Sequence, residues 1–185
     1  MKMTVVKVIL LTVALGAATS AHAQMRHRHE REQKEKEHPV PPASVDKRDT
    51  MVPAPGAFSG RPYWLALAQC GGIYFKLNVL YTDIAVHARV VKPDPRANAE
   101  YSKKLTEAIK TATTFFDGAE HFLMTDRGIE RADAVLTYDG QSRAAGDKVK
   151  SIDAALAAAK SCPALYQSCH DAYAKQCNEA LAPSG

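Results

Sequence analysis

Between Arg61 and Val91 the chain reads RPYWLALAQCGGIYFKLNVLYTDIAVHARVV. Tyr63, Leu67, Cys70, Tyr74, Leu77, Tyr81, Ile84, Ala88 and Val91 recur at alternating spacings of four and three. That period places all nine on one face of a helix and fits a strand poorly. A face of this length must be covered by other elements, so the segment predicts a helix around which a core is built. Gly71 and Gly72 interrupt it without breaking the period, which reads as a place where another helix approaches closely.

The punctuation downstream predicts more helices. Lys92-Pro93-Asp94-Pro95 stops the first, because each proline disfavours helical geometry in the residue before it. A second helix is expected from Asp94–Arg96 to Asp126-Arg127-Gly128, with Tyr101, Leu105, Ala108, Ala112, Phe115, Ala119 and Phe122 on its apolar stripe. A third stripe follows at Ala132, Val135, Tyr138, Ser142, Ala145, Val149, Ile152, Leu156 and Ala159. Gly140 and Gly146 are soft spots within it, each weaker than alanine by ~1 kcal/mol, where the helix can kink or split. Cys162-Pro163 restarts the chain into a last helix ending near Leu181, since proline suits a first helical turn. Four amphipathic helices with short connections predict an all-α, up-down-up-down four-helix bundle over residues 61–185.

Two segments precede that domain. Lys2 and Lys7, the apolar run Val8 to Ala18, and the small-x-small site Ala21-His22-Ala23 are the three parts of a secretory signal peptide, residues 1–23. The run is too short for a membrane span, which needs ~20 apolar residues, so cleavage after Ala23 and a periplasmic or secreted protein are expected. No membrane segment is expected after cleavage. Residues 24–60 combine the charged stretch Met25 to His38 with Pro39, Pro41, Pro42, Pro53 and Pro55. Such a composition buries too little apolar surface to offset ordering entropy, so a disordered, proline-rich tail that could act as a tether is expected. His27, His29 and His38 there invite a metal reading, but they alternate with arginine and lack a cysteine partner.

Loss of the signal peptide removes two lysines and no acids, lowering the formal charge from +4 to +2. That mild balance does not point to nucleic acid, which calls for basic residues gathered on one surface.

The four cysteines carry the firmest chemistry. In an exported chain an even number reads as a disulfide framework with three possible connectivities. Cys162 and Cys169, like Cys169 and Cys177, stand too far apart along a straight helix to pair, at ~1.5 Å of rise per residue. At least one bridge should therefore run from Cys70 to the last helix. An antiparallel placement of the first and last helices favours Cys70 with Cys177, leaving Cys162 and Cys169 to close across a non-helical turn at Pro163. No C-x-x-C pair is present to tune a thiol for redox work.

Candidate chemistry is sparse. Asp83-x-x-x-His87 and Asp117-x-x-x-His121 each place an acid and an imidazole one helical turn apart. The two pairs fall at opposite ends of consecutive antiparallel helices and cannot share an ion. His170 and Asp171, near the start of the last helix, are expected at the same end as His87, so Asp83, His87, His170 and Asp171 form the one candidate constellation, with Asp83, His87 and His170 as its candidate metal ligands. Tyr166-Gln167-Ser168-Cys169-His170-Asp171-Ala172-Tyr173 resembles the haem-attachment end of cytochrome c-prime proteins, which are exported four-helix bundles. That resemblance implies His170 as an axial ligand, but Tyr166 stands where the first cysteine of C-x-x-C-H should be. Tyr63, Trp64, Tyr74, Tyr81, Phe115, Phe116 and Phe122 either form core or line a small-molecule pocket. No nucleophile elbow, phosphate-binding glycine loop, H-E-x-x-H or cysteine-rich zinc spacing occurs. The expectation is a non-enzymatic periplasmic module without a cofactor that binds another envelope protein, the alternative being a haem, metal or small-ligand site at the end of the bundle.

Overall fold

The structure, a computed structural model, describes residues 43–53 and 56–181. The expected signal peptide and the first part of the expected tail, residues 1–42, lie outside the described residues. So do His27, His29 and His38.

The described chain is all-α. Five α-helices are present among the described residues: α1 Tyr63–Val86, α2 Pro95–Arg127, α3 Arg131–Asp147, α4 Ile152–Ala159 and α5 Cys162–Leu181. The first of them continues into a π-helical turn, His87–Val91.

Local chemistry accounts for most boundaries. The π-turn ends where Lys92 becomes extended, and Asp94 then caps α2, its side chain accepting from the amides of Arg96 and Ala97 at 3.1 and 3.0 Å. Pro95 occupies the first turn, where an amide hydrogen has no partner to lose. Gly128, at φ 65°, closes α2 in the left-handed conformation that glycine adopts without a Cβ penalty.

The expected third helix is two helices. Its stripe was assigned one phase throughout, but α3 ends at Asp147 and α4 restarts at Ile152, with the Ser151 hydroxyl accepting from the Ala154 amide at 3.2 Å. Ala134, Ser142 and Gly146 are the buried positions of α3, while Val135 and Leu156 are exposed. Five helices therefore stand where four were expected.

α1 is the axis of the core. Tyr63 to Ala68 are consecutive and all buried, so this end of the helix is surrounded rather than amphipathic. Around it gather Phe115, Ala119, Phe122 and Leu123 of α2, Ala134 of α3, and Leu165, Cys169 and Cys177 of α5. The far half of α1 is covered on one side only, where Ile73, Leu77 and Tyr81 meet Ala108 of α2 and Ala155 and Ala159 of α4. α3 crosses α1 at the glycine pair. A Cβ on Gly72 would lie 2.6 Å from the Ser142 carbonyl carbon, and one on Gly146 would lie 2.9 Å from the Gly72 carbonyl oxygen. The close approach expected at Gly71-Gly72 is therefore present, and it is made by backbone against backbone.

Residues 43–60 correct the expected tail boundary. Val52 is buried in the core, its amide donates to the Arg61 carbonyl at 2.8 Å, and the Tyr63 amide donates to the Thr50 carbonyl at 2.8 Å. The Asp49 carboxylate takes a bidentate pair of hydrogen bonds from the Arg127 guanidinium, at 2.8 and 2.9 Å. The domain therefore begins near Ala43. Proline content alone misjudged this stretch, because its ordering comes from partners about 75 residues away rather than from local apolar burial.

The disulfides also differ from the favoured pairing. Cys70 joins Cys162, and Cys169 joins Cys177, each with Cα atoms 5.8 Å apart. The bridge from Cys70 to the last helix is present, but it reaches that helix at its start. Because α4 occupies the stretch beside Ile73 to Tyr81, α5 begins only at the height of Cys70 and runs toward Tyr63. A straight helix would keep the second pair apart. α5 is not straight: Tyr173 has φ −144° and ψ 53°, outside the helical region, and this kink folds the chain so that residues eight apart meet.

Candidate functional site

The sequence-derived constellation does not assemble. Asp83 and His87 are exposed at the far end of α1 and at its π-turn. α5 instead lies at the opposite end, where the Ser168 hydroxyl is 3.4 Å from the Tyr63 hydroxyl and Cys169 is buried in the core that holds Tyr63 and Trp64. Tyr63 and His87 are 24 positions apart on α1, which corresponds to ~36 Å at 1.5 Å per residue. The shorter α3, the turn at 148–151 and the short α4 shift the register of α5 by more than half of α1. His170 and Asp171 therefore travel with Tyr63, away from His87. Among the described residues no group of three or more His, Cys, Asp or Glu side chains is placed to hold a metal ion.

Haem does not fit the residues present. Attachment through a thioether requires a free thiol, and Cys169 is buried in its bridge to Cys177 while Tyr166 replaces the other cysteine. The Asp117 and His121 pair lies on α2 near Phe122, half-buried at both positions, and the His121 Nε2 atom is buried without a hydrogen-bond partner.

The aromatic side chains form core. Tyr63 stacks on Phe122 at 5.2 Å, Tyr74 on Phe115 at 5.7 Å, and Phe116 on Tyr138 at 5.5 Å. Tyr173 meets Tyr63 edge-on at 5.9 Å, so the α5 kink supplies a ring to the same cluster. Burial pushes the Tyr63, Tyr74 and Tyr138 hydroxyls above the ordinary tyrosine range, which suits packing and not proton transfer near neutral pH.

One charged cluster is built into the base of the domain. Arg127 donates to Asp49 and, at 2.6 Å, to the Ser44 carbonyl, while its guanidinium stands 4.9 Å from the centre of the Trp64 ring. Thr50 donates to Asp126 from its amide at 2.5 Å and from its hydroxyl at 2.9 Å. Burial alone would raise the Asp49 carboxyl; the Arg127 hydrogen bonds, the Asp46 amide and the nearby Trp64 indole outweigh it and hold the carboxyl below the ordinary aspartate range. The Trp64 N–H itself makes no hydrogen bond of good geometry. Arg127 Nε and Nη2 and both Asp49 carboxylate oxygens are bonded to protein groups, so the cluster is a clasp between residues 44–50 and the end of α2.

The feature that sequence reasoning missed is a second apolar stripe on α1. Phe75, Val79, Val86 and Val90 are exposed at 48%, 37%, 43% and 65%, and Val91 beside them at 69%. Their spacings of four, seven and four put them on one face, opposite Ile73, Leu77, Tyr81 and Ala85. The signal was readable. α1 is apolar almost all round, so assigning one stripe to the core left a second one unassigned.

Comparison with known protein families, with curated proteins and with solved structures finds no match.

Proposed function

We propose that this chain is an exported, non-enzymatic interaction module of the cell envelope, periplasmic or secreted, held rigid by two disulfides. Its binding surface is the outer face of α1. The observation that carries this reading is the stripe Phe75, Val79, Val86 and Val90, solvent-exposed on the helix that organises the core. Scattered single apolar residues on a surface need no explanation, but four aligned on one face of α1 and its π-turn mark a face that meets something else. Export is supported by the basic start, apolar run and Ala21-His22-Ala23 site of the sequence, and by four cysteines all paired as disulfides.

The test is crosslinking in intact envelopes with a photoreactive residue at position 79, in the otherwise native chain and in a Val86→Asp variant. Val86 is 43% exposed, so the change should leave stability within about 0.5 kcal/mol. The expected result is an adduct with an envelope component, protein or lipid, that disappears in the variant. No adduct in either chain, or an adduct indifferent to Val86→Asp, would remove the reading.

A further inference from the structure

Resting on the reading of α1 as a binding face, we infer that its partner is an anionic phospholipid surface, on which α1 and its π-turn lie flat. The apolar row runs from Phe75 to Val90, ~20 Å along α1 and into its π-turn, with Thr82 and the exposed Asp83 between Val79 and Val86. A row of that shape fits a plane and does not form a groove that would seat a peptide. The charges beside it then decide what plane. At 3.6 residues per turn, Lys76 and Arg89 fall on opposite shoulders of the row, each about 70° from its centre. Lys92 follows Val91 directly, and Arg96 stands across the turn in the first residues of α2.

None of these four cations makes an ion pair among the described residues, whereas Lys103, Lys104, Arg131 and Arg143 do. Acids stand here too, with Asp147 next to Gly146 beside the Lys76 stem and Glu100 one turn from Arg96 and paired with Lys104. Asp83 is exposed on the Lys76 shoulder, and the Asp94 side chain is engaged in capping α2. Long basic side chains flanking an apolar face can bury their stems while their charged ends reach phosphate oxygens. Apolar contact and basic flanks together are what holds an in-plane helix at an anionic bilayer. No helix among the described residues is long and apolar enough to cross a membrane, so the contact is peripheral.

The test is co-sedimentation of the exported, purified protein with vesicles of phosphatidylcholine alone and of phosphatidylcholine with 30% phosphatidylglycerol, a proportion of about one anionic lipid in three chosen to give a negative surface. The protein should bind the anionic vesicles several-fold more tightly than the neutral ones, and less tightly as salt is raised. R89E combined with K92E should weaken anionic binding at least tenfold, as should V86D combined with V90D. L136D, a control at an apolar residue of α3 that is 74% exposed, should have no effect. Absence of binding, equal binding to both vesicle types, or an equal loss in L136D would overturn the lipid assignment. If vesicle binding fails while the envelope crosslink is to a protein and is still lost in Val86→Asp, the binding face stands and only its partner is wrong. Failure of both removes the face as well.

Discussion

Asp49 and Arg127 are 78 residues apart in sequence and form a deeply buried ion pair, with side chains 0% and 12% exposed. Nothing local announces either residue. Asp49 sits in a stretch whose prolines and charges read as unfolded chain, and Arg127 reads as a routine cation at a helix end. Their significance exists only once α2 brings its last turn beside Trp64. Removing one partner of such a pair leaves the other charge buried and typically costs ~3 to 5 kcal/mol. Asp49→Asn, which keeps the shape and some hydrogen bonds, is therefore expected to destabilise the protein by roughly 3 kcal/mol in urea unfolding at pH 7. The sign with pH follows from the lowered carboxyl. Because its folded value lies below the unfolded one, near ~3.9, its contribution is complete above that pH and is lost as pH falls through the folded value. The native chain and Asp49→Asn should thus differ widely at pH 7 and converge below the ordinary aspartate range; a gap unchanged at pH 3 would contradict this account.

Elements were more legible than their neighbours. The stop at Pro93 and Pro95, the Asp94 cap, and the Gly128 close of α2 all depend on residues within a turn of one another, and sequence carries such signals directly. The split of α3 from α4 was visible as a soft spot at Gly146, but its consequence was not, because a change of register shows only in what the next helix meets. The same glycine explains why the crossing is close: α1 and α3 touch through Gly72, Ser142 and Gly146. At Gly72 a Cβ would strike the Ser142 backbone, which cannot move without shifting α3. At Gly71 it would meet the edge of the Phe116 ring, which can turn on its own side-chain bonds. Overpacking of a tight contact costs ~1 to 3 kcal/mol, against a gain of ~1 kcal/mol from replacing a helical glycine by alanine. Gly72→Ala is therefore expected to lose up to about 2 kcal/mol, since the Ser142 backbone cannot yield, and Gly71→Ala clearly less, as read from denaturation midpoints. Equal costs would mean that the helices can separate freely at the crossing.

At the scale of the whole molecule the two disulfides have different work to do. Cys70–Cys162 ties α1 to the start of α5 across a sequence separation of 92 residues, enclosing α2, α3 and α4. Cys169–Cys177 closes only eight residues and fixes the α5 kink that sets Tyr173 against Tyr63. In the chain-entropy account the long loop is worth ~4 to 5 kcal/mol and the short one ~2 to 3 kcal/mol, with the measured values often smaller. The paired variant Cys70→Ser with Cys162→Ser should accordingly lower stability more than Cys169→Ser with Cys177→Ser. The short bridge should show itself chiefly in α5, as faster amide exchange around Tyr173. The connectivity can be read without any variant. Cys162 and Cys169 share one tryptic peptide, between Lys160 and Lys175, so the unreduced digest should contain three peptides linked in a chain. Further cleavage after Tyr166 should leave the Cys70 peptide attached to Cys162, and Cys169 attached to the Cys177 peptide. A two-peptide species joining Cys70 to Cys177 would restore the expected register of the antiparallel pair α1 and α5, with Cys177 and not Cys162 at the height of Cys70. It would also return His170 toward His87, so this one digest bears on the site as much as on the fold.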